Sequence, residues 1–297
     1  MTARPRRASR WARGRLVRGR EVRVHPPAGL AVVGILGAAV LLVPFVALVA
    51  GVDLTRLPEL LTSPSALDAL GLSLRTALTA TAICLVIGTP LALVLTRLDF
   101  PGRSFARSLV LLPLVVPPVV GGIALTEAFG RRGLIGEHLQ LLGIEIAFTS
   151  AAVVMAQVFV SLPFLVVALE GALLTRGEAH ERTALSLGAS PLRTFLTVTL
   201  PLLVPGLVAG LVLTFARALG EFGATITFAG SLQGTTRTLP LQVYLERETD
   251  PEAAVALSLV LVVVALVVIT VAYGRRDGRR DGRRDGRRYG RRTGAEA

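Results

Sequence analysis

The sequence predicts an all-α protein: a polytopic membrane bundle of six transmembrane helices with both termini on the cytoplasmic side. Three observations predict it. Apolar residues make up 52% of the 297 and mean hydropathy is +0.65, more apolar side chain than a soluble chain of this length can hide. The apolar residues gather into six runs, each near the ~20 residues needed to cross a hydrocarbon core of ~30 Å. Arginine is concentrated in the segments that six crossings place on one side.

The runs are Leu30–Val52, Leu74–Leu95, Ser108–Ala128, Ser150–Leu173, Leu200–Phe222 and Ala253–Tyr273. The first is too long for a signal-peptide core and no small-residue cleavage site follows it, so it reads as a retained span. Pro113, Pro117 and Pro118 interrupt the third run, Pro163 the fourth and Pro205 the fifth. Proline is tolerated within a span where neighbouring helices satisfy the freed carbonyls. These boundaries divide the chain into a basic arm (1–28), a membrane domain (29–273) and an arginine-rich tail (274–297).

All of the basic charge is arginine; lysine is absent. A net charge of +12 would suggest nucleic acid in a soluble protein. Flanking hydrophobic spans, it reads instead as a topology signal, with no nucleic-acid partner. Nine arginines precede His25 and ten follow Tyr273. Arg97, Arg103 and Arg107 lie between the second and third runs, and Arg176, Arg182 and Arg193 between the fourth and fifth. One side thus holds 25 arginines and the other 5, with Arg75 and Arg217 inside spans. Positive residues favour the cytoplasm. The tail repeats GRRD three times, then GRRY and GRRT. It has no apolar face to bury and is expected to be disordered, either a solvated stop that fixes topology or a patch for anionic membrane lipid.

Several classes of function are excluded. The single cysteine, Cys84, leaves no disulfide and no cysteine metal site within one chain. No span contains a histidine, so an intramembrane metalloprotease lacks its paired ligands. No filter loop or charged ring marks an ion channel. A phosphate-binding GxxxxGK loop is absent, so any ATP driving this chain is hydrolysed by another polypeptide. No cofactor is expected.

The segment between the fourth and fifth runs, EAHERTALSLGASPLRTFLTVTLP from Glu178, carries the strongest functional signal. Two short helices meet at Gly188, where glycine suits a turn of positive φ. Pro201 suits the first turn of the fifth span, where a missing N–H costs nothing. Ala184, Leu187 and Phe195 are spaced to anchor a short helix in a partner's groove. The same pattern also describes an interfacial helix at the headgroups.

Gly188, Val198, Leu200 and Pro201 match, at the same spacing, the EAA loop of ABC importer permeases, and the chain is similar to that family. The acid-and-alanine part is degenerate: Glu181, Arg182, Thr183 and Ala184 stand where the family often has Glu-Ala-Ala. The resemblance implies that this loop is the coupling helix docking into an ABC ATPase dimer, with Glu181, Ala184, Gly188, Leu200 and Pro201 in that role. It implies localisation in the bacterial cell membrane.

Further stretches resemble the molybdate permeases of the superfamily: RLDFPGRS from Arg97, LLPLVVPPVVGG from Leu111, IAFT from Ile146, and ARALGEFGATITFAG from Ala216 followed by TRTLPLQVY. Sulfate permeases share ALGEFG and the later Thr-Leu-Pro, so a sulfate or thiosulfate permease remains the alternative, and tungstate is too similar an oxyanion to separate from molybdate. The resemblance implies a homodimer, since sulfate importers pair two related permeases. Outer loops this short cannot gather the convergent donors that tight oxyanion capture needs, so an extracytoplasmic molybdate-binding protein is expected.

Within the same region Arg217 and Glu221 are four apart, at the spacing of one helix face. Ionisable residues in a span face the bundle interior or a wet cavity. The pair could brace the fifth span or set a cation near the anion's route. Gly223 permits close helix approach, and Thr225 offers a hydroxyl.

Overall fold

The computed structural model describes residues 27–289. Residues 1–26 of the basic arm and 290–297 of the tail lie outside that range. The described chain falls into two units divided between Ala47 and Leu48. Helix α1 (Ala28–Ala50) accounts for the described part of the first; it contains Pro44 and is long and apolar enough to span a membrane.

The second unit is a helical bundle built on α2 (Leu57–Thr62), α3 (Pro64–Arg97), α4 (Arg103–Val115), α5 (Pro118–Phe129), α6 (Gly136–Leu141) and α7 (Ser150–Arg176). It continues through α8 (Ala179–Ser186), α9 (Pro191–Thr194), a π turn (Phe195–Thr199), α10 (Leu200–Leu219), α11 (Gly223–Phe228), α12 (Leu239–Thr249) and α13 (Pro251–Tyr289). There is no strand among the described residues.

Helix α7 is the centre of the bundle. Its 27 residues give a length of about 40 Å, and it packs against α3, α4, α5, α10 and α11. Thr149 caps its N-terminus, accepting the Ala152 N–H at 3.4 Å, which satisfies one of the donors a helix start leaves open. Toward that end Val153, Ala156 and Val160 pack with Leu125, Ala224 and Phe228. Toward the other, Leu165, Val166 and Leu169 pack with Cys84, Ala92 and Leu95 of α3. Lipid tails are as apolar as leucine, so such contacts stabilise through close packing rather than through exclusion of water.

The third run is where the prolines act. Pro117 and Pro118 lack N–H groups and bias the residue before each away from helix. Val116 and Pro117 are accordingly extended, with ψ of 132° and 136°, and α4 meets α5 at 117°. Five helices are each long and apolar enough to cross a membrane; the bent pair makes a sixth. The pair crosses rather than returning. Arg103 at the start of α4 bonds the Leu95 and Thr96 carbonyls at the end of α3, beside the end of α7. Leu125 near the end of α5 packs at the beginning of α7. The count of six spans therefore holds, with the third span broken and not straight.

Two helices outrun their apolar runs. Helix α3 begins at Pro64, ten residues before Leu74, because Ser63 caps it by accepting the Ala66 N–H at 3.3 Å. Helix α13 continues past Val271 to Tyr289, whereas the sequence expects disorder from 274. Propagating a helix from a formed turn costs far less than nucleating one, so the span carries the helix into a repeat whose glycines would not start one alone.

Small residues set the approach of α5 to α11. A Cβ at Gly122 would lie 1.7 Å from Thr227 Oγ1 and 2.8 Å from the Ala224 carbonyl. Gly122→Val should therefore cost about 1–3 kcal/mol or more through overpacking and lower the detergent-solubilised melting temperature. Gly171→Ala, where a Cβ meets nothing within 4 Å, should leave it unchanged.

Candidate functional site

The loop from Glu178 to Pro201 folds as two short helices about a glycine turn, as its sequence predicts. Ala189 N–H reaches the Ala184 carbonyl at 3.1 Å and Gly188 N–H the Leu185 carbonyl at 3.0 Å. This is a Schellman closure. It gives Ala184 a backbone role and requires the left-handed conformation of Gly188, whose φ is +85°. A Cβ there would meet nothing within 4 Å, so the need for glycine is conformational and not steric.

Beyond the turn the structure corrects one expectation. Pro201 is not at a free helix start. Helices α9 and α10 run on through the π turn as one 29-residue span, Pro191–Leu219, nine residues longer at its start than the apolar run. Leu200 N–H bonds the Phe195 carbonyl five residues back. Pro201 cannot donate, and the wider turn accommodates that gap; single π turns of this kind often mark functional places in helices.

The loop presents apolar side chains outward. Leu187 is 84% exposed and Leu192 68% exposed, while Phe195 is half-buried and Leu200 likewise. Glu181 behaves differently. Its carboxylate turns inward, accepting from Arg97 Nη2 at 2.9 Å and from Thr199 Oγ1 at 2.8 Å. Arg97 Nη1 also meets Glu178 Oε1 at 2.8 Å, and Glu178 is paired with Arg182. The Arg182 hydrogen bond, and after it that of Arg97, holds the Glu178 carboxyl below the ordinary carboxylate range. A depressed carboxyl pKa adds stability that is present at neutral pH and lost only as pH falls through the folded value. The ion pairs of Glu178 are therefore expected to persist across the physiological range.

On the far side, α10 ends at Leu219, so Glu221 sits in the break before α11 and not on the same helix as Arg217. The pair forms nonetheless, at 2.5 Å, with the Glu221 side chain 1% exposed. Glu221 also accepts the Ala224 N–H at 2.6 Å. The carboxylate thus joins the end of α10 to α11. Gly223 lets α11 approach α5: a Cβ there would lie 3.0 Å from that of Pro118. Thr225 is fully buried, and its hydroxyl has no hydrogen-bond partner among the described residues.

Three positions of interest were not singled out from sequence. Arg97 was absorbed into the topology count. Glu170, an acid at the end of an apolar run, pairs with Arg107 of α4 at 2.9 Å. Gln157, an amide in the middle of α7, is fully buried with neither amide atom partnered among the described residues. The last two carried a signal that could have found them, a polar side chain inside an apolar span.

A bent third span, a looped pair of helices between the fourth and fifth spans, and a polar break after the fifth are the features that the described residues bring together. Residues 84–277 match the family of binding-protein-dependent transport system inner membrane components, and the chain belongs to that family. It is thus a multi-pass inner-membrane protein. It is 56% identical over 244 residues to the molybdenum transport system permease protein ModB of Mycobacterium tuberculosis, covering 80% of this chain and 91% of that one. It is 36% identical over 225 residues to the sulfate transport system permease protein CysT of Escherichia coli, covering 74% and 81%. Among solved structures, a bacterial ABC transporter importing the acidic polysaccharide alginate superposes with a TM-score of 0.63 at 18% identity, covering 83% of this chain and 93% of that one.

Proposed function

We propose that this chain is the membrane-spanning permease subunit of an ATP-driven importer of molybdate. The observation that carries the proposal is the 56% identity to a molybdenum permease over nearly its whole length, against 36% for the sulfate permease. The anion therefore follows the molybdate relatives, with sulfate as the alternative.

Two copies form the pore about a two-fold axis. Each offers its Glu178–Pro201 loop to one subunit of an ABC ATPase dimer, Leu187 and Leu192 being the apolar contacts that their exposure favours. The arginine-rich side, which carries this loop, is cytoplasmic. Glu181, Ala184, Gly188, Leu200 and Pro201 shape the loop. Arg217, Glu221, Gly223 and Thr225 brace or line the route at the opposite end. An extracytoplasmic molybdate-binding protein delivers the anion. A related alginate importer was solved together with its ligand-bound periplasmic protein, which supports that arrangement.

ATP binding draws the ATPases together, the coupling loops follow, and the cavity opens outward. Hydrolysis returns it inward. The chain performs no covalent chemistry; it interconverts two states whose balance the partners shift. The test is ATP hydrolysis by the complex in lipid nanodiscs. Molybdate with its binding protein should raise the rate, and native mass spectrometry should find two copies of this chain per two ATPase subunits. A rate indifferent to molybdate and its binding protein would overturn the proposal.

A further inference from the structure

We infer that Arg97 is a positioning residue for energy coupling, the joint through which movement of the α8 coupling helix reaches α3 and α10 together. The inference rests on the reading of α8 as the ATPase-docking element.

Arg97 is the last residue of α3, a helix that packs along both α7 and α10. Its side chain is only 20% exposed and lies between the carboxylates of Glu178, which caps α8, and Glu181 in its first turn. Nη1 meets Glu178 Oε1 at 2.8 Å, and Nη2 meets Glu181 Oε2 at 2.9 Å and Oε1 at 2.9 Å. A planar fork held by two acids fixes orientation as well as distance. The same Glu181 Oε1 accepts from Thr199, 7% exposed and the last residue of the π turn. One carboxylate therefore joins three elements: the end of a membrane span, the start of the coupling helix and the irregular turn that opens the next span.

The consequence is mechanical. Helix α8 is linked to α9 by the Gly188 turn, whose conformation can change at low cost. Without the Arg97 cluster, a force on α8 would be taken up by that turn. With it, α8 cannot shift without carrying the end of α3, and the π turn is held at the place where α10 would otherwise rewind. Glu178, shared between Arg97 and Arg182, keeps the second acid of the fork in place.

The experiment uses the whole complex in proteoliposomes and measures molybdate taken up per ATP hydrolysed, alongside co-purification of the ATPase subunits. Arg97→Leu should leave the ATPase subunits bound and lower uptake per ATP by about tenfold, within the range of coupling free energies between linked sites. Arg97→Lys keeps the charge but loses the fork, and should recover only part. The exchange Arg97→Glu with Glu181→Arg should recover more than either single change. Thr199→Val, which removes only the hydroxyl, should lower the ratio in the same direction. Unchanged uptake per ATP in Arg97→Leu and Thr199→Val would overturn the inference, as would loss of the ATPase subunits from Arg97→Leu. If Arg97→Leu fails to accumulate, an unchanged ratio in Thr199→Val overturns it alone. Absence of ATP-dependent molybdate uptake by the unaltered complex would instead refute the parent reading.

Discussion

Replacing Gly188 by aspartate should abolish productive coupling while leaving the chain in the membrane at near-normal abundance. No atom lies within 4 Å of the added Cβ, so nothing in the bundle is displaced. Two effects act at the loop alone. The first is conformational: φ of +85° is costly for any residue with a Cβ, about 1–2 kcal/mol for most and less for aspartate. The second is electrostatic. A new carboxylate appears next to Leu187, the most exposed leucine of the loop. Burying it unpaired at an interface would cost several kcal/mol. The measurement is ATP hydrolysis and uptake by the same preparation. Substrate-stimulated hydrolysis should vanish and uptake fall to background. Normal stimulation would place the docking surface elsewhere. Gly188→Asn, an uncharged residue tolerant of left-handed geometry, should retain most activity.

Arg217→Leu carries the second large effect. It leaves the Glu221 carboxylate, 1% exposed, without its cation. Removing one partner of a buried pair destabilises by about 3–5 kcal/mol, because the remaining charge is uncompensated. Membrane abundance should fall sharply. Arg217→Leu combined with Glu221→Leu removes both charges and should restore much of it, at the cost of the Ala224 N–H contact. Transport by the double variant separates the two roles of the pair. Near-normal uptake would make it a brace between α10 and α11. Restored abundance without uptake would place the guanidinium on the anion's route.

Much of this architecture is legible in the sequence because hydrocarbon imposes length and polarity so strictly. Six apolar runs became six crossings, and the glycine of the cytoplasmic loop became the turn between two helices. Where sequence and structure differ, each difference has one physical cause. A single proline within a span is tolerated, but at Pro117–Pro118 two successive missing donors and two extended residues break the helix. Pro201 suits a helix start by sequence, and the π turn that precedes it has no composition of its own. Helix α10 ends two residues before Glu221, which a spacing argument cannot see because it assumes a continuing helix. Arg97 illustrates a different limit. Near a span end an arginine both orients the chain and pairs with acids, and only the fold brought Glu178 and Glu181 to it across more than 80 positions. The buried Gln157 and Glu170 were visible as polar breaks in an apolar run, but their surroundings depend on which face of α7 turns inward.

An ATP-driven route for molybdate is tested most directly by uptake of labelled oxyanion by cells expressing this chain with the ATPase and binding protein of its genomic neighbourhood. Labelled molybdate and labelled sulfate are supplied separately, each challenged with an excess of the other. The expected result is energy-dependent molybdate uptake that survives excess sulfate, and little sulfate uptake at any level. Sulfate uptake equal to that of molybdate, abolished by either competitor, would contradict it.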